Sequence, residues 1–107
     1  MVTNVIDINF NEKVIEKSKE KPIVVDFWAQ WCQPCLILGP ILDQLEEESK
    51  SKFILAKINV DEAPETSKKY NIMSIPSVKM FKQGKQIAKF VGVLPKEQIK
   101  DWFDKNL

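Results

Sequence analysis

Histidine is absent from this sequence, and only two cysteines occur among its 107 residues. A protease dyad of cysteine and histidine is therefore excluded, as is a zinc site that combines these two residue types within one chain. No glycine-rich fingerprint of a dinucleotide-binding site occurs, so any nicotinamide chemistry would have to be done by a partner. Three interpretations of the two cysteines remain: redox chemistry of their own, a metal shared between chains, or buried thiols without a function.

Long runs of like charge and long apolar runs are also missing. The 16 basic and 15 acidic residues leave a net charge of +1 and form no block that would indicate a nucleic-acid or membrane surface. No apolar stretch approaches the ~20 residues of a membrane span. The first residues lack the basic start and apolar core of a signal peptide. We therefore expect a cytoplasmic protein, in which a Cys-x-x-Cys pair is catalytic or metal-binding rather than a structural disulfide.

The length and the hydrophobic pattern predict a single α/β domain over residues 1–107. Apolar runs predict strands at 5–8, 23–28, 53–60, 77–82 and 86–91, with a tight turn between the last two. Because the second run is apolar throughout, we expect a central strand that is covered on both sides. The order of elements requires a mixed sheet, a parallel βαβ half plus an antiparallel hairpin, with helices on both faces.

Helical periodicity predicts four helices between these strands. The first begins with a pattern like a capping box, Asn9 and Glu12. The second follows the cysteine pair and contains Pro40, which predicts a kink. The third is short and is predicted to be capped by Asp61, and the fourth opens at Pro95.

The segment Trp31-Cys32-Gln33-Pro34-Cys35 lies where the central strand gives way to the second helix. Positions three apart on a helix are about 5–6 Å apart, which matches the separation that a disulfide requires. A helix N-terminus carries partial positive charge, so we expect the pKa of the Cys32 thiol to fall and Cys32 to be the nucleophile. Pro34 suits the first turn, and Cys35 lies deeper as the resolving thiol. The pattern predicts a redox-active dithiol.

Asp26 places a carboxylate within the apolar central strand. One interpretation is a polar residue whose hydrogen bonds are satisfied, and the other is a buried acid–base near Cys35 whose pKa is raised by desolvation. If the second and third strands pair, Lys57 lies beside Asp26, and its charge would lower that pKa. The sequence leaves open which of the two effects is larger.

These motifs occur together in an order that resembles the thioredoxin family. The segments in question are DFWA at 26–29, WCQPC at 31–35, KINVD at 57–61, SIPS at 74–77, FKQG at 81–84 and VG at 91–92. The resemblance implies the thioredoxin fold and a monomer that reduces protein disulfides without a bound cofactor. It also implies protein disulfide substrates and a thioredoxin reductase as partners.

Gln33 replaces the usual glycine, and Leu36 replaces a common lysine or arginine. Both departures bear on reduction potential and partner choice.

The resemblance further implies a substrate-binding surface around Cys32. It implies a cis peptide bond before Pro76, and pairing of the Ile75 backbone with the substrate chain beside the first cysteine. The substrate-binding residues that it implies are Trp31, Gln33, Pro34, Ile75, Pro76, Val91 and Gly92. We expect five of these to form an exposed apolar collar around Cys32, namely Trp31, Ile75, Pro76, Val91 and Gly92.

Three alternatives remain open from the sequence. A disulfide oxidase or isomerase could use the same fold and the same dithiol. A protein-binding module could use the apolar collar without redox turnover. Two chains could also share a zinc ion through four cysteine thiolates, because each chain supplies two.

Overall fold

Five strands form one mixed sheet at the centre of the computed structural model, which describes all of residues 1–107. The strands are β1 (Val2–Asn4), β2 (Ile23–Trp28), β3 (Ile54–Asn59), β4 (Ser77–Lys82) and β5 (Lys85–Val91). Their order in the sheet is β1-β3-β2-β4-β5. The pairs β1–β3 and β2–β3 are parallel, whereas β2–β4 and β4–β5 are antiparallel. The predicted mixed sheet with an antiparallel hairpin is confirmed.

Three regular helices and one irregular helical segment connect the strands. The regular helices are α1 (Gln33–Glu48), α2 (Pro64–Lys69) and α3 (Lys96–Asn106). The N-terminal helical segment consists of 3₁₀ turns at Asp7–Asn9 and Lys17–Lys19 on either side of a π-helix at Asn11–Glu16. None of the helices combines the length and apolar character needed to cross a membrane.

Two hydrophobic layers lie on opposite faces of β2, whose first five residues are all buried. The N-terminal helical segment and the region of α2 cover one face, where Phe10 and Tyr70 pack against Phe81. Helices α1 and α3 cover the other face, where Leu38 and Phe103 lie in the same apolar cluster. The prediction of a central strand covered on both sides is confirmed, and the end of β2 is thereby fixed for the site that follows it.

The predicted first strand at 5–8 is wrong. The strand ends at Asn4, and Asp7 turns toward α2, where its carboxylate accepts hydrogen bonds from the backbone N–H groups of Glu65 and Thr66 at 3.1 and 2.8 Å. The hydroxyl of Thr66 donates to the same carboxylate at 2.7 Å. These bonds satisfy helix N–H groups that otherwise lack partners, which favours a turn over a longer strand.

Two predicted helix caps are wrong for related reasons. Asn9 does not begin the first helix, since its side-chain oxygen accepts the N–H of Ile6 at 2.9 Å from within the first turn. Asp61 does not cap α2, because that helix begins at Pro64 after Ala63, and Asp7 accepts its N–H groups instead. A cap supplied by a segment far away in the sequence leaves no local pattern to detect.

Candidate redox site

The two cysteines form a disulfide at the start of α1. Cys32 is the N-cap, with extended backbone, and its Sγ accepts the backbone N–H of Cys35 at 3.2 Å. The two Cα atoms are 5.3 Å apart. The predicted position was the first helical turn, and the structure places Cys32 one step earlier, where a side chain accepts the free N–H groups of a helix. The same N–H group is placed to stabilise a thiolate at Cys32 after reduction.

An apolar shell surrounds the disulfide on its protein side. Ala29 is buried against the cysteines, and Trp28, Val60 and Ile75 are partly buried beside them. Both cysteines are buried, with Cys32 5% and Cys35 2% exposed, so Cys35 is the less accessible of the two.

The predicted cis bond between Ile75 and Pro76 is confirmed. The carbonyl oxygen of Ile75 lies 3.8 Å from Cys32 Sγ. The carbonyl of Pro76 accepts the N–H of Gly92 at 2.8 Å, so the proline loop is held against the end of β5. The loop therefore presents backbone polar groups directly beside the outer sulfur.

The predicted apolar collar is partly confirmed. Trp31 is 67% exposed and Val91 is also exposed, while Ile75 and Gly92 are half-buried. Pro76 is buried, so its prediction as an exposed collar residue is wrong; its carbonyl is bonded to Gly92, and β4 begins at the next residue.

Further exposed residues continue the surface around the cysteines. Gln33 and Pro34 are exposed at the start of α1. Leu36 and Ile37 are exposed as well, so this surface is more apolar than the collar alone. The exposed Trp31 donates its indole N–H to the Asp61 carboxylate at 2.8 Å. No local pattern indicates this contact, because thirty positions separate the two residues.

Asp26 is only 1% exposed, and its Oδ1 has no hydrogen-bond partner. It lies directly opposite Lys57 in the β2–β3 register. Burial raises the pKa of Asp26 to about 7, Lys57 opposes this rise and Asp43 adds to it. Desolvation is therefore the larger of the two effects that the sequence left open. The missing partner of Oδ1 contradicts the interpretation of Asp26 as a polar residue whose hydrogen bonds are satisfied, while its role in the reaction stays a prediction.

Lys57 forms an ion pair with Asp43 of α1, with Nζ and Oδ1 2.9 Å apart. Asp43 was not predicted to belong to the site, although the spacing of four residues from Cys35 through Gly39 to Asp43 places it along one side of the helix. A cleft of about 220 Å³ adjoins Asp26, Cys35, Asp43 and Lys57. The buried carboxyl group and Cys35 therefore adjoin the same cleft.

No group of three or more cysteine, aspartate or glutamate side chains lies close enough together to hold a metal ion within this chain. The two cysteines, the carboxyl group of Asp26 and the ion pair of Lys57 with Asp43 lie close together in the structure. The arrangement is suited to breaking and forming disulfides, because the Asp26 carboxyl group, with its pKa of about 7, can bind or release a proton near neutral pH.

Comparison with known proteins gives full-length matches. A family model described as Thioredoxin matches residues 1–105. The thioredoxin of Rickettsia typhi is 41% identical over 107 residues, which is 100% of both chains. The thioredoxin of Chlorobaculum thiosulfatiphilum is 42% identical over 101 residues, covering 94% of this chain and 92% of its own. The thioredoxin of Alicyclobacillus acidocaldarius is 43% identical over 93 residues, covering 87% and 86%.

Proposed function

The chain belongs to the thioredoxin family and is a thiol–disulfide oxidoreductase that reduces protein disulfides, and we propose that Cys32, Cys35 and Asp26 divide this reaction among them. Cys32 is the nucleophile, Cys35 the resolving thiol and Asp26 the acid–base. Lys57 tunes the acidity of Asp26. The full-length thioredoxin matches do not favour an oxidase, an isomerase or a redox-independent binding module.

The first step joins enzyme and substrate. The Cys32 thiolate attacks one sulfur of the substrate disulfide, a new S–S bond forms to that sulfur, and the substrate bond breaks. The second substrate sulfur leaves as a thiolate and takes up a proton. The product is a mixed disulfide at Cys32.

The second step releases the substrate. Cys35 loses its proton to Asp26 through the cleft between them and attacks Cys32 Sγ. The mixed disulfide breaks, the Cys32–Cys35 disulfide forms, and the remaining substrate sulfur leaves and is protonated. The substrate has then gained two electrons, and a thioredoxin reductase returns two electrons to the cysteine pair.

The observation that supports this proposal best is the position of Cys32. Its sulfur caps α1 through the Cys35 N–H at 3.2 Å and lies 3.8 Å from the carbonyl oxygen of Ile75. A substrate chain that pairs with the Ile75 backbone therefore brings its own sulfur next to Cys32. Trp31, Gln33, Pro34, Val91 and Gly92 surround this point, and Pro76 shapes it from below.

The test uses three proteins and insulin as a disulfide substrate. We expect wild type to reduce insulin, Cys32→Ser to lose activity, and Cys35→Ser to accumulate a mixed disulfide that is visible by mass spectrometry. Alkylation of the reduced wild-type protein should label Cys32 faster than Cys35. Equal labelling at neutral pH, or a mixed disulfide trapped at Cys35 in Cys32→Ser, would contradict the assigned roles.

We further propose a monomer that works in the cytoplasm. A reduced dithiol persists in a reducing compartment, and the partner reductase must be present there too.

A further inference from the structure

A second cleft, of about 410 Å³, adjoins the proline loop and contains three lysines but no acidic residue. Its floor is formed by β4 and β5, and its wall by the segment that follows α2. Ser74 and Ser77, which lie on either side of Ile75 and Pro76, both line it. We refer to it as the lysine cleft, after Lys69, Lys79 and Lys89.

Lys79 is the least exposed of the three lysines of the cleft. The residue is 6% exposed, and it lies directly opposite Lys89 in the β4–β5 register. Burial and then the charge of Lys89 lower the pKa of Lys79. The ion pairs and lysine hydrogen bonds of the structure all involve other lysines. The Lys79 ammonium group has no ion-pair partner and faces a like charge, which is unfavourable, and a bound anion would relieve this repulsion.

The lysine cleft adjoins the place where a substrate chain must lie. Val91 belongs both to the lining of the cleft and to the collar around Cys32, and it pairs with Ser77. The Ile75 carbonyl oxygen beside Cys32 Sγ is one residue from Ser74, which also lines the cleft. A polypeptide paired with Ile75 therefore continues toward the lysines within a few residues of its reactive cysteine.

We propose that the lysine cleft binds an anionic group of the substrate polypeptide, a carboxylate or a phosphate, and thereby favours disulfides that lie within acidic segments. This rests on the proposed function, because it assigns the substrate class of the same site. Lys79 supplies charge from the floor of the cleft, while Lys89 and Lys69 supply charge at the rim. Lys69 Nζ lies 5.7 Å from the ring centre of Tyr70, so it is held over the wall of the cleft.

The test compares peptides that differ in one charge. Each peptide carries one cysteine in a mixed disulfide with a small thiol. In each peptide, one glutamate occupies one of the three positions before or the three positions after the cysteine. A matched peptide has glutamine at the same position. We expect the wild-type kcat/KM to favour glutamate over glutamine by roughly three- to tenfold at the best position, as for a charge-assisted hydrogen bond in a partly buried site.

Three variants locate the effect. Lys79→Met should bring the glutamate-to-glutamine ratio close to one, and Lys89→Gln, at an exposed position that folding tolerates, should reduce it. Lys105→Gln is the control, because it removes the same charge from α3 on the opposite face of the sheet and should leave the ratio unchanged. A ratio near one in wild type at every position, or an equal fall of the ratio in Lys105→Gln, would overturn the proposal.

Inorganic phosphate separates a substrate-borne anion from a free one. At constant ionic strength, phosphate should raise the pKa of Lys79, followed by NMR of its side-chain nitrogen, and should inhibit turnover of the glutamate peptide more than that of the glutamine peptide. If phosphate shifts Lys79 while the two peptides react equally, the site serves a free anion and the proposal is wrong. Turnover of the glutamine peptide, and its loss in Cys32→Ser, tests the proposed redox function independently.

Discussion

At the scale of single residues, the charge of Lys57 acts on two carboxylates. Its ammonium group is paired with Asp43, and it also lies across the β2–β3 register from Asp26. Burial raises the pKa of Asp26 to about 7; the charge of Lys57 opposes this rise, and the negative charge of Asp43 adds to it. A carboxyl group with a pKa near the working pH exchanges protons readily in both directions, which suits an acid–base for thiol chemistry.

The first prediction concerns the cost of burying Asp26. Its pKa is raised in the folded protein from an ordinary value of 3.8 to about 7. The wild-type protein therefore loses stability as pH rises through this range and keeps the full penalty above it. Relative to wild type, Asp26→Asn should gain up to roughly 4 kcal/mol in free energy of unfolding between about pH 3 and pH 8.

Urea unfolding at a series of pH values measures this difference. Asp101→Asn, a change at an exposed position of α3, is the control and should show no comparable pH dependence. A stability difference between Asp26→Asn and wild type that stays constant with pH would mean that the carboxyl group is not desolvated.

The second prediction concerns Asp43. Asp43→Asn removes a negative charge that raises the Asp26 pKa, and it frees Lys57, which lowers that pKa. Both changes act in one direction, so the Asp26 pKa should fall. The pH profile of mixed-disulfide resolution, measured by stopped-flow, should shift to lower pH.

Glu47→Gln is the matched control for Asp43→Asn, because it removes an exposed carboxylate from the same helix. It should leave the pH profile in place. Superimposable profiles for Asp43→Asn and wild type would mean that Asp43 does not influence Asp26.

At the scale of secondary-structure elements, the sequence predicted well those strands and helices whose ends are determined by the local hydrophobic pattern. Strands β2 and β4 begin and end where their apolar runs do, and α1 begins directly after Cys32. The N-terminal region was predicted less well, because Asp7 forms its hydrogen bonds with Thr66, 59 positions away. Contacts of this kind depend on the assembled fold and leave no periodic trace in the sequence.

The third prediction compares the two candidate caps of α2. Hydrogen bonds from Thr66 and Glu65 hold the pKa of Asp7 below its usual value, although desolvation opposes them. Asp7→Ala should therefore lower the free energy of unfolding by about 1 kcal/mol, as loss of a helix cap does. Since a lowered carboxylate pKa contributes stability above the unfolded value, this difference should shrink as pH falls through the folded pKa.

Asp61→Ala is the control for the third prediction, because Asp61 contacts Trp31 rather than the α2 backbone. Chemical denaturation should show a smaller loss for Asp61→Ala than for Asp7→Ala at neutral pH. The reverse order would restore Asp61 as the cap of α2.

At the scale of the whole molecule, the predicted architecture is confirmed, while the roles of the site residues stay predictions. The sequence placed Cys32, Cys35, Asp26 and Lys57 together because they lie on or beside two strands that were expected to pair. Asp43 was missed, since only the packing of α1 on the sheet brings it to Lys57. Whether burial or the charge of Lys57 has the larger effect on the Asp26 pKa could not be predicted either, because desolvation depends on all the residues that surround the carboxyl group in the folded protein.

The fourth prediction concerns assembly of the reduced protein. A zinc ion held by two chains would need all four cysteines of a dimer. We expect the reduced protein to sediment as a monomer of 12.4 kDa with or without equimolar zinc. Sedimentation velocity measures this, and the oxidised protein is the control because its thiols are blocked. A zinc-dependent dimer of the reduced form alone would revive the shared metal site.

The position of Cys32 also has a mechanical consequence. A substrate bonded to Cys32 is attached to the chain four residues beyond Trp28, the last residue of β2. This strand is bonded to β3 over six register pairs and to β4 over five. Tension in a stretched or partly unfolded substrate would be passed into the strand with neighbours on both sides and shared between them. A substrate held at Cys32 is therefore attached beside a strand that is paired on both sides.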